Sequence, residues 1–242
     1  FDGIQTIAEE STAFTGVTAD VEYGGLGFGM KWMMGWMHDT LEYFSKDPVF
    51  RKYHQNEITF SLAYTFTEKF MLPLSHDEVV YGKNSLLGKM PGDEWQRFAN
   101  LRLLYAYMYT HPGTKMIFQG GEFGQSDEWN FDQSLDWHLL EFKPHQGLQK
   151  CVKELNTLYK NSPALYEKAF GVDGFEWINY GDHENSVISY IRKGHDSEND
   201  LVVVCNFTSV VRKGYEIGLP KKGKLKQVFN SDFKKYFGSG IS

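Results

Sequence analysis

The chain has 242 residues, of which 41% are hydrophobic and 23% charged, and its net charge is −6. This is an ordinary globular composition for one large domain or two smaller ones, and the acidic balance argues against a nucleic-acid partner. No apolar run reaches the length of a membrane span and no signal or lipidation motif is present, so no membrane partner is expected.

Cys151 sits in a helical pattern and Cys205 in a strand pattern. Two buried free thiols are therefore expected rather than a disulfide, which fits a reducing, cytoplasmic setting. The chain opens at Phe1 rather than Met and enters strand-like sequence at once, as a piece of a longer protein would.

Residues 1–8 read as a buried strand that ends in Glu9-Glu10-Ser11-Thr12. The glycine-rich run Gly24–Gly29 fails as a dinucleotide fingerprint, because the third glycine would fall on Met30. A short strand is predicted near Lys31–Met34, then a loop carrying Trp36, His38 and Asp39. Asp47-Pro48 has the form of a helix start, and a helical period runs over Glu57–Glu68. Phe70–Ser75 is an apolar strand that ends abruptly in His76-Asp77-Glu78. The loop Val79–Gly92 follows, and Asp93 is placed to cap a helix whose stripe is Trp95, Phe98, Leu101, Leu104, Tyr105 and Met108. Lys115–Gln119 is a further strand, and Gln125–Pro144 a long irregular loop holding Trp129, Asp136 and Trp137. Leu148, Cys151, Val152, Leu155, Leu158 and Tyr159 form the last helical stripe.

Strands alternating with helices predict a parallel sheet with crossover helices over residues 1–162. Residues 163–242 change style. Short strand patterns at 175–178, 186–191, 201–207, 214–218 and 225–229 are separated by turn clusters. They predict a small antiparallel β domain, one that runs out at Ser242 without closure.

Two strands that end in acids suggest one site built from strand tips, as parallel α/β barrels build theirs. On a strand Glu9 and Glu10 face opposite ways, and periodicity does not say which points to the site. Ser75-His76-Asp77 are adjacent and cannot form a spatial catalytic triad. No second His or Cys stands at ligand spacing, so no metal is expected. Gly82-Lys83 lacks the upstream glycine of a phosphate loop. Two carboxyls at one barrel mouth suit glycoside chemistry, with one as acid and the other as nucleophile or as stabiliser of positive charge at the sugar. The plainer readings are two glutamates in a solvated turn at Glu9-Glu10 and a polar strand-end cap at Ser75–Glu78.

Ala8-Glu-Glu-Ser-Thr12 and Leu72-Pro-Leu-Ser-His-Asp-Glu-Val-Val80 resemble two signature regions of bacterial 1,4-α-glucan branching enzymes, in the α-amylase superfamily. Gly35-Trp-Met-His-Asp-Thr40, Phe98-Ala-Asn-Leu-Arg102, Gly120-Gly-Glu-Phe123 and Ser134-Leu-Asp-Trp-His138 extend the resemblance over nearly the whole chain. It implies the C-terminal half of a (β/α)8 TIM barrel, about strands 5–8, and then the β domain. It implies a retaining transfer on an α-1,4-glucan or glycogen that needs no cofactor, with Glu9 as general acid/base, Asp77 as transition-state stabiliser and His76 as a sugar contact. Trp32, Trp129 and Asp136 are the further expected substrate contacts.

The nucleophilic aspartate of a Gly-Phe-Arg-x-Asp region has no counterpart in the sequence, so the chain alone is expected to be inactive. Half a barrel would have open edges and is expected to self-associate or bind its missing half. An amylase-type hydrolase and a non-catalytic glucan-binding fragment are the competing readings. The chain departs from the family at Tyr81, where histidine is common, and at Met33, where asparagine is.

Overall fold

The computed structural model describes residues 3–220 and 222–241. Strands β1 (Ile7–Ala8), β2 (Met30–Trp32), β3 (Phe70–Leu74) and β4 (Thr114–Ile117) form a four-stranded sheet in sequence order, and every pairing is parallel. The helices between and after them are α1 (Met34–Ser45), α2 (Gln55–Thr59), α3 (Leu86–Lys89), α4 (Glu94–Thr110) and α5 (Lys143–Asn161). A second sheet of β5 (Phe175–Asp182), β6 (Val187–Arg192) and β7 (Leu201–Asn206) is antiparallel.

The elements that formed as expected have strong local signals. Asp93 accepts a hydrogen bond from Gln96 N, and the Gln96 side chain accepts one from Asp93 N, both at 2.8 Å. This capping box starts α4, and Phe98, Leu101, Leu104, Tyr105 and Met108 are then fully buried. Trp95 departs from that stripe. It is 38% exposed, and its indole N–H donates to Phe237 O at 3.0 Å.

Other elements differ from expectation. The first strand is only Ile7–Ala8, and Phe1 and Asp2 lie outside the described residues. The expected loop at Trp36, His38 and Asp39 is helix α1, which buries Trp36, Met37, Thr40, Tyr43 and Phe44. Its start lacks a capping side chain. Gly35 is needed there because a Cβ would lie 2.4 Å from the Tyr64 hydroxyl.

The helix expected over Glu57–Glu68 breaks into α2 and a 3-10 turn. Thr59, Thr65 and Thr67 hydroxyls donate to backbone carbonyls there and compete with the helical ladder. Asp47 caps only a turn, accepting from Val49 N at 3.0 Å. Pro144 falls inside α5, which starts at Lys143, so the loop before it is shorter than expected. No strand forms at 214–218 or 225–229. A half-buried strand needs a face to bury, and Leu225 and Val228 stay 62% and 55% exposed.

The second sheet packs on the helices, and one hydrophobic core contains residues of both sheets, from Leu72 and Leu74 to Ile188 and Tyr190. Phe207 meets the rings of Tyr43, Phe44 and Tyr107 at 5.2–6.1 Å. Cys151 and Cys205 are buried and free.

Candidate active site at the strand tips

Parallel pairing brings the carboxyl ends of all four strands to one edge of the sheet, so the residues that follow them are neighbours. Glu9 and Glu10 follow β1, Met33 follows β2, His76 to Glu78 follow β3, and Phe118 follows β4. The tips of β1 and β3 are two strands apart, roughly 10 Å at the backbone.

The adjacent glutamates of β1 are treated differently. Glu10 forms an ion pair with Lys31 Nζ at 2.6 Å and accepts a hydrogen bond from Thr12 N at 2.6 Å. Lys31 is on β2, its backbone paired with Ala8. The Lys31 ammonium, and next the Thr12 donors, pull the Glu10 carboxyl down to about 2. Glu9 is exposed, and its side chain makes no hydrogen bond or ion pair among the described residues.

A similar division occurs after β3. Glu78 turns inward, and its carboxylate accepts from Ser75 N and Ser75 Oγ at 2.5 and 2.8 Å, closing a capping box. His76 and Asp77 remain presented at the edge, with His76 Nε2 3.3 Å from Asp77 Oδ1. The His76 ring lies 5.9 Å from the ring of Phe118 and 6.0 Å from that of Trp129, and those two meet edge-on at 5.0 Å.

Trp129 is tied to this segment by its backbone N–H, which donates to Val79 O at 2.7 Å. Behind Phe118 and Trp129 the enclosed cavity is ≈ 20 Å³, room for about one water. The rings therefore form a packed wall rather than an enclosed pocket.

Asp136 closes its own loop: its carboxylate accepts from Gln125 Nε2 at 2.7 Å, and its N–H donates to Gln125 Oε1 at 3.0 Å. Trp32 sits half-buried at the end of β2. The structure thus brings His76, Asp77 and Trp129 into one cluster, with Glu9 at the same sheet edge. Asp136 is engaged elsewhere in its loop. Phe118 was not picked out in the sequence, although it lies within the predicted strand Lys115–Gln119 and directly follows the observed β4. Lys31 and Glu128 were also missed. Among the described residues no group of three or more His, Cys, Asp or Glu is placed to hold a metal ion. No helix among them is long and apolar enough to cross a membrane.

Comparison with known proteins adds identity to this geometry. Residues 177–242 match the family model of the alpha amylase C-terminal all-beta domain. A crystal structure of alpha-amylase from H.orenii superposes with a TM-score of 0.52 at 14% identity, covering 85% of this chain and 44% of that one, a likeness of fold. The chain is 57% identical over 241 residues to the 1,4-alpha-glucan branching enzyme GlgB of Aquifex aeolicus, covering all of this chain and 38% of that protein. It is 59% identical over 239 residues to the corresponding protein of Cellvibrio japonicus, covering 99% of this chain and 32% of that one. The chain therefore spans about a third of the length of these curated relatives, and along its whole length it is similar to that part of these 1,4-alpha-glucan branching enzymes.

Proposed function

We propose that the chain is the part of a glucan branching enzyme that carries the general acid/base and the transition-state stabiliser. In this reading residues 1–162 are the C-terminal half of a (β/α)8 barrel, about strands 5–8. Residues 163–242 belong to a C-terminal β domain, and the parent protein acts in the cytoplasm. Four parallel strands in sequence order and the buried free thiols support this.

The parent would cleave an α-1,4 bond, hold the cut chain covalently on an aspartate, and pass it to a 6-hydroxyl of a glucan. Glu9 first protonates the departing 4-oxygen and then takes the proton from the acceptor hydroxyl. Asp77 faces the developing positive charge, and His76 donates to a sugar hydroxyl. The Gly-Phe-Arg-x-Asp aspartate that this scheme needs is not in the sequence, so the 242-residue chain makes no branches by itself.

The observation that carries the assignment is the contrast at β1. Glu10 is held ionised by Lys31 and is a poor acid near neutral pH, whereas Glu9 is unclaimed. Ile4, Phe14, Val21, Tyr23 and Leu26 are 52–85% exposed around the open β1 edge. They support association with the rest of the barrel or, in isolation, with another copy.

The test is made in the full-length parent. Glu9→Gln should lose about 10²–10⁴-fold in branching rate, while Glu10→Gln should keep most of it. An inactive Glu10→Gln beside an active Glu9→Gln would move the assignment by one residue. Shortened linear chains without new α-1,6 links would make the protein a hydrolase instead.

A further inference from the structure

Two loops leave the strand-tip edge beside His76 and Asp77, one after β3 and one after β4. They meet around a single carboxylate, Glu128, to which the site described above gives no role.

Glu128 accepts from Gly82 N at 3.0 Å and from Asn84 N at 2.6 Å, one bond to each oxygen. The first loop is shaped for this contact. Gly82 has φ +81° and Asn84 φ +65°, and a turn with left-handed residues makes a concavity of backbone N–H groups that suits an anion. Left-handed backbone is uncommon for a residue with a side chain. Asn84 is held in it with its side chain accepting from Ser85 N at 2.8 Å. The amides of Asn84, and next of Gly82, keep the Glu128 carboxyl below the usual carboxylate range, so the clamp stays charged near neutral pH.

The next residue carries the contact into the site. Trp129 N donates to Val79 O at 2.7 Å, and Val79 N donates to His76 O at 3.0 Å, closing the short turn that holds His76 and Asp77. The Trp129 ring meets the His76 ring edge-on at 6.0 Å, and His76 Nε2 lies 3.3 Å from Asp77 Oδ1. Glu128 and Trp129 together therefore make three hydrogen bonds to the loop after β3, and Trp129 also buttresses the histidine beside Asp77.

We propose that Glu128 is a positioning residue for the transfer reaction. Its carboxylate, seated on the amides of Gly82 and Asn84, joins the two loops, holds Trp129 against His76 and so keeps Asp77 in place. The proposal rests on the reading in which Asp77 and His76 serve the reaction. The His76 and Asp77 side chains are 44% and 41% exposed on a three-residue turn, so packing on their own side leaves them loosely fixed. A charge placed against a transition state acts only where its geometry is held, and a displacement of about 1 Å can cost about 10²-fold in rate.

The experiment uses the full-length parent and pairs branching kinetics with urea unfolding. Glu128→Ala should lower kcat on the order of 10–100-fold in folded protein, with KM for amylose within about twofold of wild type. Glu128→Gln keeps one acceptor oxygen and should recover part of kcat. Glu167 provides the control, because its carboxylate also accepts from a loop amide, His195 N at 2.8 Å, in the β domain. Glu167→Ala should keep wild-type kcat. Because Glu128 acts through Trp129, adding Glu128→Ala to Trp129→Ala should cost little beyond Trp129→Ala alone.

A lower urea midpoint with wild-type kcat in Glu128→Ala would make Glu128 a loop staple and overturn the proposal. So would losses that multiply in full in the double variant. If Glu128→Ala does not fold, Glu128→Gln decides by the same measure, a partial loss of kcat against none. Asp77→Asn separates this proposal from the reading beneath it. Wild-type kcat in Glu128→Ala beside an inactive Asp77→Asn removes the clamp alone, whereas an active Asp77→Asn removes both.

Discussion

The seam between the helices and the antiparallel sheet, and the rim at the strand tips, both hold charged side chains, but they use them in opposite ways. In the seam Arg51 and Arg192 are fully buried and donate to backbone carbonyls. Arg192 reaches Thr110 O at 2.9 Å, Gly174 O at 3.2 Å and Leu165 O at 3.5 Å. Arg51 reaches Phe44 O at 2.8 Å, Phe207 O at 2.9 Å and Lys46 O at 3.2 Å. Thr110 ends α4 and Phe44 lies in the last turn of α1, where carbonyls lack intrahelical partners and the helix dipole favours a cation. Each arginine caps a helix from inside and ties it to the next layer.

At the rim Glu9, His76 and Asp77 stay open to solvent, and the carboxylates beside them are the ones consumed by structure. Displaced ionisation is therefore a poor guide to function in this chain. Burial pulls Arg51 and Arg192 down to about 10 and His111 to about 3, and all three are scaffold.

The largest effect expected from breaking the seam is at Arg192. Arg192→Leu strands three carbonyls in a buried setting and should cost about 3–5 kcal/mol, read from the midpoint of urea unfolding. Arg192→Lys should recover little, because one ammonium does not reproduce the planar fork. A loss under about 1 kcal/mol would mean that the seam is held by its aromatic packing alone.

His111 gives the next effect, through pH. Its ring is buried between Ser61 Oγ at 3.1 Å and Pro112 O at 2.9 Å, with Lys115 and Arg192 adding unfavourable charge. Burial is the main cause of its low value. The unfolded chain takes up this proton near pH 6.5 and the folded chain only near 3. The linked stability is complete above 6.5 and is lost as pH falls toward 3. At pH 5 the loss is about 2 kcal/mol. Urea unfolding at pH 7 and pH 5 should show that difference, and His111→Gln should flatten it even while lowering stability at both. An equal slope in the variant would assign the pH dependence to other groups.

The seam was more legible in the sequence than the rim, for a physical reason. Helices α4 and α5 and strand β3 announce themselves through a cap, a stripe or an apolar run, because burial imposes periodicity. Helix α1 did not, since Met33 gives no cap and His38-Asp39 interrupts its stripe. The patterns at 214–218 and 225–229 show the converse, a strand-like alternation that finds no sheet edge to pair with. At the rim, Asp77 and His76 could be marked as strand-tip residues, but the choice between Glu9 and Glu10 could not be made by alternation across a two-residue strand. It depends on Lys31, 21 residues after Glu10 and opposite Ala8 in register. Glu128 left no trace at all, because its partners are backbone amides, which every sequence position supplies.

The smallest effect sharpens the rim itself. Lys31→Met removes the leading cause of the low Glu10 value, so the Glu10 carboxyl should titrate closer to the ordinary 4.5, as followed by its side-chain carbon shift in NMR. The return should be partial, because the Thr12 backbone and side-chain donors remain. The sign is that of a depressed carboxyl: the interaction favours the folded state above the ordinary value and fades as pH drops toward 2. Branching by the parent should persist in Lys31→Met and still vanish in Lys31→Met/Glu9→Gln. Freeing Glu10 restores its proton affinity but leaves its carboxylate held by the Thr12 N–H, turned away from Glu9's place. Activity in that double variant would show that the two glutamates differ only in ionisation, and that geometry at the β1 tip does not choose between them.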